Sequence, residues 1–374
     1  MTPDIAAEAW REKWQQKEIS AENAIKHINP GNRVFISTGC ALPQTLAEEL
    51  ARQARSLTDV QIIHYLTLST KGPYAHYQPT PFRHNTFFVN ETLREMVRLG
   101  KADYTPVMAS QISALFLSGR INIDVALVQL SPPDEFGYCS LGIGVDFAKE
   151  IVGIAYMVIA EINPQMPRTY GDGFVHIKDI DYYVFADRTL MEYRFPEPDE
   201  VDMRIAENIV RLMRHKSCLH LGFGTISKAI QRYLAEHPIK NDLGIHAFII
   251  TDDLIPLIEK GIVTCRKKNY RPEKIIASLA LGSKKLYDFV HNNPYVEFRK
   301  ASKVCSPVNI SKNNRMFSVN EGFQIDLKGQ VDSASKAYDF YTGVGDMVDF
   351  VRGSAFSKGG KPVIALRSTN LKET

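Results

Sequence analysis

SCLHLGFGTISKAIQRYLAEHPIKNDLGIHAFIITDD, residues 217–253, opens on a short apolar run from Cys218 to Leu221 and breaks at Gly222-Phe223-Gly224. Apolar residues then recur at helical spacing (Ile226, Ala229, Ile230, Tyr233, Leu234), and a second apolar run follows from Leu243 to Ile250. The order is strand, glycine turn, helix, strand, the unit that lays down a parallel sheet with its crossover helix. Glycines at a strand's end let the backbone approach a ligand, and the first N–H groups of the next helix point at an anion. A phosphate-bearing ligand is the guest this stretch predicts.

The same unit occurs earlier. Arg33 to Gly39 reads as a strand ending in glycine, Leu42 to Ala54 as a helix with Leu46, Ala47 and Leu50 on one face, and Asp59 to His64 as a strand. Aligning Val34 with Cys218 and Asp59 with Asp242 gives offsets of 184 and 183 residues, nearly in register. Repetition at that spacing predicts two related α/β halves with mainly parallel sheets. Their ligand would lie where the strand ends of the halves face each other.

Composition excludes several classes. The chain has 374 residues, 44% of them hydrophobic, enough for two cores of ordinary size. A formal net charge of +3 without a long Lys/Arg run does not imply nucleic acid. The first twenty residues carry charge throughout and no run of about 18 apolar residues occurs, so neither a signal peptide nor a membrane span is expected, and a cytoplasmic location is. Five cysteines (Cys40, Cys139, Cys218, Cys265, Cys305) form no CxxC, and the histidines form no HExxH, so neither a disulfide framework nor a metal site is predicted.

Taken in order, residues 4–28 read as one helix with Trp10, Trp14 and Ile25 available for packing. Leu68 to Asn85 is a Gly-, Pro-, His- and Tyr-rich loop, followed by a strand at Thr86 to Val89 and a helix from Glu91 to Gly100. Ile123 to Leu130 has the near-continuous apolar character of a strand covered on both faces, and it ends in a proline-fixed loop, Ser131 to Tyr138. Leu141 to Gly144 is read as opening a helix, and Gly153 to Ile162 as another buried strand. Met191 to Asp199 holds two prolines and four charges, which sets the domains at 1–190 and 201–374 with residues 191–200 as linker. Arg266-Lys267-Lys268 reads as a solvated basic face, with steering of an anionic ligand as the alternative.

As a set, Ser131 to Gly142, Leu221 to Gly224, Asp242 to His246, Leu286 to Phe289 with Asn292 to Pro294, Asp326 with Gly329 to Val331, Gly343 to Gly345, Val348 to Gly353 and Ser357 to Lys361 resemble the acetyl-CoA hydrolase/transferase family. That family includes 4-hydroxybutyrate and butyrate:acetate CoA-transferases. The resemblance implies a CoA-transferase type of fold and an enzyme that moves CoA between carboxylic acids or hydrolyses a short acyl-CoA. Acyl-CoA and a carboxylic acid are then its partners, coenzyme A its ligand without a metal, and a homo-oligomer or mixed oligomer its assembly. The CoA-contacting positions that carry over are Gly222, Phe223, Gly224, Thr225 and Ile226, then Gly322, Gly345 and Ser368.

The chain departs from the family at the reacting group. The family's nucleophilic glutamate, which forms a glutamyl thioester, lies two residues after the histidine of the Gly-Ile-His run, and that position is Phe248. Asp252 and Asp253 come four and five residues later, roughly 13–17 Å along a strand. His246 would share the strand face of Phe248 and is the candidate base for a water, against the alternative of a hydrogen-bonded core histidine. The family's Gly-Gly-Gln reads Gly345-Asp346-Met347, which sets a carboxylate where a thioester oxygen or a phosphate is expected nearby, and like charge there would weaken binding. The resemblance also implies a shortened second domain, because the family continues beyond Leu366. Three readings follow: a transferase or hydrolase of the family, a CoA-binding chain or subunit without turnover, and a thioesterase or acyltransferase without a glutamyl intermediate.

Overall fold

The computed structural model describes residues 14–68, 82–336 and 339–369. The first half of the chain supplies β1 (Arg33–Ile36), β2 (Gln61–His64), β3 (Arg83–Thr86), β4 (Ala102–Tyr104), β5 (Val125–Leu130), β6 (Tyr138–Ser140), β7 (Met157–Ile162), β8 (Tyr170–Gly171), β9 (Phe174–His176) and β10 (Tyr182–Phe185). Seven of these form one parallel sheet in the order β10-β7-β5-β1-β2-β3-β4. All six residues of β5 are buried, as its continuous apolar run requires of a strand covered on both faces.

The second half supplies β11 (Cys218–Leu221), β12 (Gly244–Ile245), β13 (Ile249–Ile250), β14 (Ile275–Ala277), β15 (Leu279–Ala280), β16 (Val296–Phe298), β17 (Met316–Glu321), the hairpin strands β18 (Gln324–Ile325), β19 (Val331–Asp332), β20 (Ser335–Lys336) and β21 (Asp339–Phe340), and β22 (Lys361–Ala365). A parallel sheet runs β22-β17-β11-β12. Main-chain pairing continues past β12: His246 bridges to Ile276, β13 pairs with β15, and β14 pairs with β16.

The two halves therefore share a plan. β1-β2-β3-β4 corresponds to β11, β12 with β13, β14 with β15, and β16, while β5 and β7 flank β1 as β17 and β22 flank β11. The register agrees in detail: Val34 pairs with Ile62 and Val125, and its counterpart Cys218 pairs with Gly244 and Met316. Asp59 and Asp242, aligned on sequence alone, both take the left-handed conformation, with φ of 56° and 52°. Aspartate tolerates that region better than most residues because its short polar side chain bonds locally.

The halves also share main chain. β8, from the first half, pairs in parallel with β16 of the second. Gly171 sits in this ladder at φ 119°, and a Cβ there would collide with the backbone of Phe298. Residues 143–146 lie along β15: Val145 N–H donates to Ser278 O at 3.1 Å, and Ala280 N–H to Ile143 O at 2.9 Å. One apolar core accordingly runs from Trp14 to Ala365 through both halves, with a smaller one on the other face of the first sheet.

Several sequence expectations are corrected. Within residues 14–28 the predicted long helix is broken: Glu18 bridges to Tyr183, and a new helix, Ala21–Ile25, starts from the Ser20 cap. Trp10 and residues 69–81 of the predicted loop lie outside the described residues. The strand expected at Thr86 to Val89 is instead β3, ending at Thr86. Leu141 to Gly144 opens no helix, because its backbone is spent on the second half, and the helix begins at Ala148. Lys268 is buried rather than solvated, its ammonium donating to Ile245 O and Lys274 O at 2.7 and 2.6 Å. Among the described residues no helix is long and apolar enough to cross a membrane.

Candidate active site

The glycine turn behaves as its sequence requires. β11 ends at Leu221, Gly222 N–H donates to Val319 O at 3.0 Å, and Gly224 takes φ 147° before the helix Thr225–Glu236. The mouth of that helix is already filled. Glu321, the last residue of β17, presses its carboxylate against Gly224, so that no Cβ fits there. Burial pushes the Glu321 carboxyl up to about 7, against the opposing pull of the Ile226 and Ser227 N–H groups. A carboxyl of this chain thus takes two of the N–H groups that the sequence offered to a ligand's anion. The first half uses the same device: Thr45 and Leu46 N–H donate to Glu161 Oε2 at 2.7 and 3.1 Å, at the start of the crossover helix Gln44–Arg52.

Other positions singled out for CoA gather around the ends of β11 and β17. Gly322 N–H donates to Ala365 O at 2.8 Å, next to Glu321. Gly345 takes φ 56° against the ring of Phe88, and Phe88 lies 5.7 Å from Phe223 in the glycine turn. Ser368 is exposed and follows Arg367, whose guanidinium reaches Asp199 and Asp202 at 2.8 and 2.6 Å. A small cavity of about 20 Å³ lies behind the turn, lined by Leu219, Phe223, Ser227, Ala247 and Ile249 among others.

Phe248 falls between β12 and β13, where its carbonyl accepts from both Ser278 and Leu279 N–H at 3.0 Å. Its ring is 1% exposed. It meets Tyr65 edge-on with centroids 5.6 Å apart and Phe147 at 6.2 Å. Tyr65 continues the contact to Phe88 at 5.8 Å. A run of rings from both halves therefore fills the strand-end junction where a ligand's reacting group was expected, and position 248 offers no polar atom beyond its main chain.

The candidate base is withdrawn by its surroundings. His246 is fully buried, its Nε2 lies 2.8 Å from Val304 O, and Asn313 Nδ2 lies 3.3 Å from its Nδ1. A carbonyl can only accept, so Nε2 carries the proton and Nδ1 accepts from Asn313. Burial, with the charge of Lys268, pushes this imidazole down to about 3. It is a core histidine whose nitrogens are both used. Asp252 is likewise spent, accepting from Ser283 N–H and Oγ–H at 2.8 and 2.7 Å. Asp253, raised by burial, answers chiefly to Lys228.

Of two further polar groups near this junction, one was not singled out in the sequence and the other only as a departure from the family. His220 lies inside β11, and Asp346 follows the glycines of the Gly343 to Gly345 loop. His220 carried a signal, a polar residue inside a four-residue buried strand, while Asp346 was legible only as a departure. No group of three His, Cys, Asp or Glu able to hold a metal occurs among the described residues.

Comparison with known proteins gives a consistent result. Residues 3–192 match the acetyl-CoA hydrolase/transferase N-terminal domain, and residues 282–374 match the C-terminal domain. A 4-hydroxybutyrate coenzyme A transferase of Clostridium kluyveri is 40% identical over 361 residues, which span 96% of this chain and 83% of that protein. The solved structure of a 4-hydroxybutyrate CoA-transferase from Porphyromonas gingivalis superposes with a TM-score of 0.81 at 32% identity, covering 98% of this chain and 84% of that one. RipA from Yersinia pestis gives 0.88 at 28% identity over 97% and 84% of the two chains.

Proposed function

The chain belongs to the acetyl-CoA hydrolase/transferase family, and we propose that it binds short-chain acyl-CoA at the junction of its two halves and handles the thioester without a glutamyl intermediate. Relatives named for CoA transfer support the ligand class. The binding positions in this reading are Gly222 to Ile226, Gly322, Gly345 and Ser368, and the units that form the junction are the domains 1–190 and 201–374.

Phe248 carries the mechanistic part. Covalent exchange needs a carboxylate beside the thioester carbonyl, to give first a mixed anhydride and then an enzyme thioester. A phenyl ring has neither lone pair nor proton to offer, and this one is packed between Tyr65 and Phe147. Loss of a covalent nucleophile costs on the order of a millionfold in turnover.

Two measurements test the reading. Calorimetric titration with CoA and acetyl-CoA should give heat of binding, and no heat ends the ligand assignment. Incubation with acetyl-CoA and borohydride, followed by peptide mass spectrometry, should find no reduced adduct on any carboxylate. An adduct on a glutamate would restore the ordinary transferase route.

A further inference from the structure

Asp346 occupies the N-cap position of the helix Met347–Phe356, after a loop in which Gly343 and Gly345 take φ of 89° and 56°. Aspartate there ordinarily accepts from the first-turn N–H groups. Asp346 makes no such bond. Its carboxylate lies instead 3.7 Å from Nε2 of His220. The Asp346 side chain is 17% exposed and that of His220 1%, so the carboxylate is the reachable end of the pair.

His220 is one residue before the end of β11, ahead of the glycine turn, and stacks on Phe350 with centroids 3.5 Å apart. Neither of its ring nitrogens meets hydrogen-bond geometry with a described residue, although the Asn320 side chain lies close enough to act on it. Burying an unpaired polar group costs about 1–3 kcal/mol, and buried unpaired groups are rare enough to require a reason. Gly345, the residue before Asp346, packs on Phe88, and Phe88 on Tyr65, the ring against Phe248. A carboxylate is thus absent from strand position 248 and present on the loop that packs on the same run of rings.

We infer that Asp346, beside His220, is the catalytic base of this chain, taking a proton from the water that hydrolyses a bound short-chain acyl-CoA. The inference rests on the acyl-CoA reading above. In the step, a water proton passes to an Asp346 carboxylate oxygen while the water oxygen bonds to the thioester carbonyl carbon. The C–S bond then breaks with its electron pair on sulfur, and the thiolate takes the proton from the Asp346 carboxyl. The products are one carboxylic acid and CoA thiol. His220 presents a neutral Nε2 at 3.7 Å from the carboxylate, beyond hydrogen-bond distance.

The pH dependence follows from the groups around the pair. Asp349 of the same helix acts on Asp346, the charge of Asp346 acts on Tyr65 after β2 and on Cys305 after the helix Ala301–Val304, Asp146 before the helix Ala148–Val152 acts on that same phenol and thiol, and His246 of the second sheet acts on His220. Burial, with the charge of Asp349, raises the Asp346 carboxyl to about 7. Burial, with His246, pushes His220 down to about 3. Only ionised Asp346 accepts a proton, so the rate should rise with pH through about 7.

The test is thiol release from acetyl-CoA by the full chain, with CoA affinity measured in parallel. Asp346→Asn should lower hydrolysis by about 100-fold or more while CoA affinity stays within a few-fold, and formate should restore part of the rate to Asp346→Ala. His220→Gln, which keeps a polar group of similar reach, should still hydrolyse but with its pH limb displaced. Asp346→Asn turning over like the parent overturns the assignment, as does a borohydride-reduced acyl adduct on Asp346, which would make it a nucleophile. A parent that binds acetyl-CoA and releases no thiol overturns it too, while leaving the binding reading intact.

Discussion

Truncating Phe248 to alanine removes a ring that touches Tyr65 and Phe147 from a site sealed to 1% exposure. Such losses cost about 3–5 kcal/mol, because the neighbours collapse only partly into the space. Urea unfolding of Phe248→Ala should show that drop, and a loss under about 1 kcal/mol would mean the rings are not packed as described. His246→Ala should behave as a core defect. It strips Val304 O and Asn313 of buried partners, lowering stability by about 1–3 kcal/mol or more. Acetyl-CoA hydrolysis per folded molecule should stay within a few-fold of the parent, and a hundredfold fall without loss of fold would return His246 to the chemistry. The sequence placed both residues on one strand but could not say which atoms met them. Val304 and Asn313 are 58 and 67 residues away from His246, and nothing local marks them as its partners.

At the level of strands and helices, each half seats a glutamate from a neighbouring strand at the start of its first crossover helix. Burial raises Glu161 from 4.5 to about 7, with the Thr45 and Leu46 N–H groups opposing the rise. A carboxyl raised in the folded state adds stability in full below its unfolded value and loses it as pH climbs through the folded one. Glu161→Gln keeps an oxygen for the two N–H groups and does not titrate. Its melting temperature relative to the parent should therefore rise between pH 5 and pH 8.5, by an amount corresponding to roughly 3 kcal/mol at most. A constant difference across that range would refute the shifted carboxyl. Strand, turn and crossover helix were legible because period and glycine placement are local signals, and even the left-handed Asp59 and Asp242 coincided with the alignment. The caps were not legible, since Glu161 and Glu321 lie far along the chain from the helices they serve. Elements also moved along the chain where tertiary pairing overrode local pattern, as at β3 and around Leu141.

For the molecule as a whole, the duplicated plan could be inferred from two stretches 184 residues apart, but the joining of the halves could not. Nothing in Tyr170-Gly171 announces a strand, and β8 exists because β16 lies beside it. The shared core and this shared ladder predict one calorimetric unfolding transition, with van't Hoff and calorimetric enthalpies agreeing within error. Two resolved transitions would show that residues 1–190 and 201–374 unfold on their own. The ladder has a further effect on how a ligand gets in. A binding cleft between two lobes usually gapes by swinging about a flexible joint, yet here the jaws are stitched by peptide hydrogen bonds at Tyr170 and Gly171. In the acyl-CoA reading, a long nucleotide tail would then thread past yielding side chains rather than be swallowed by a closing mouth.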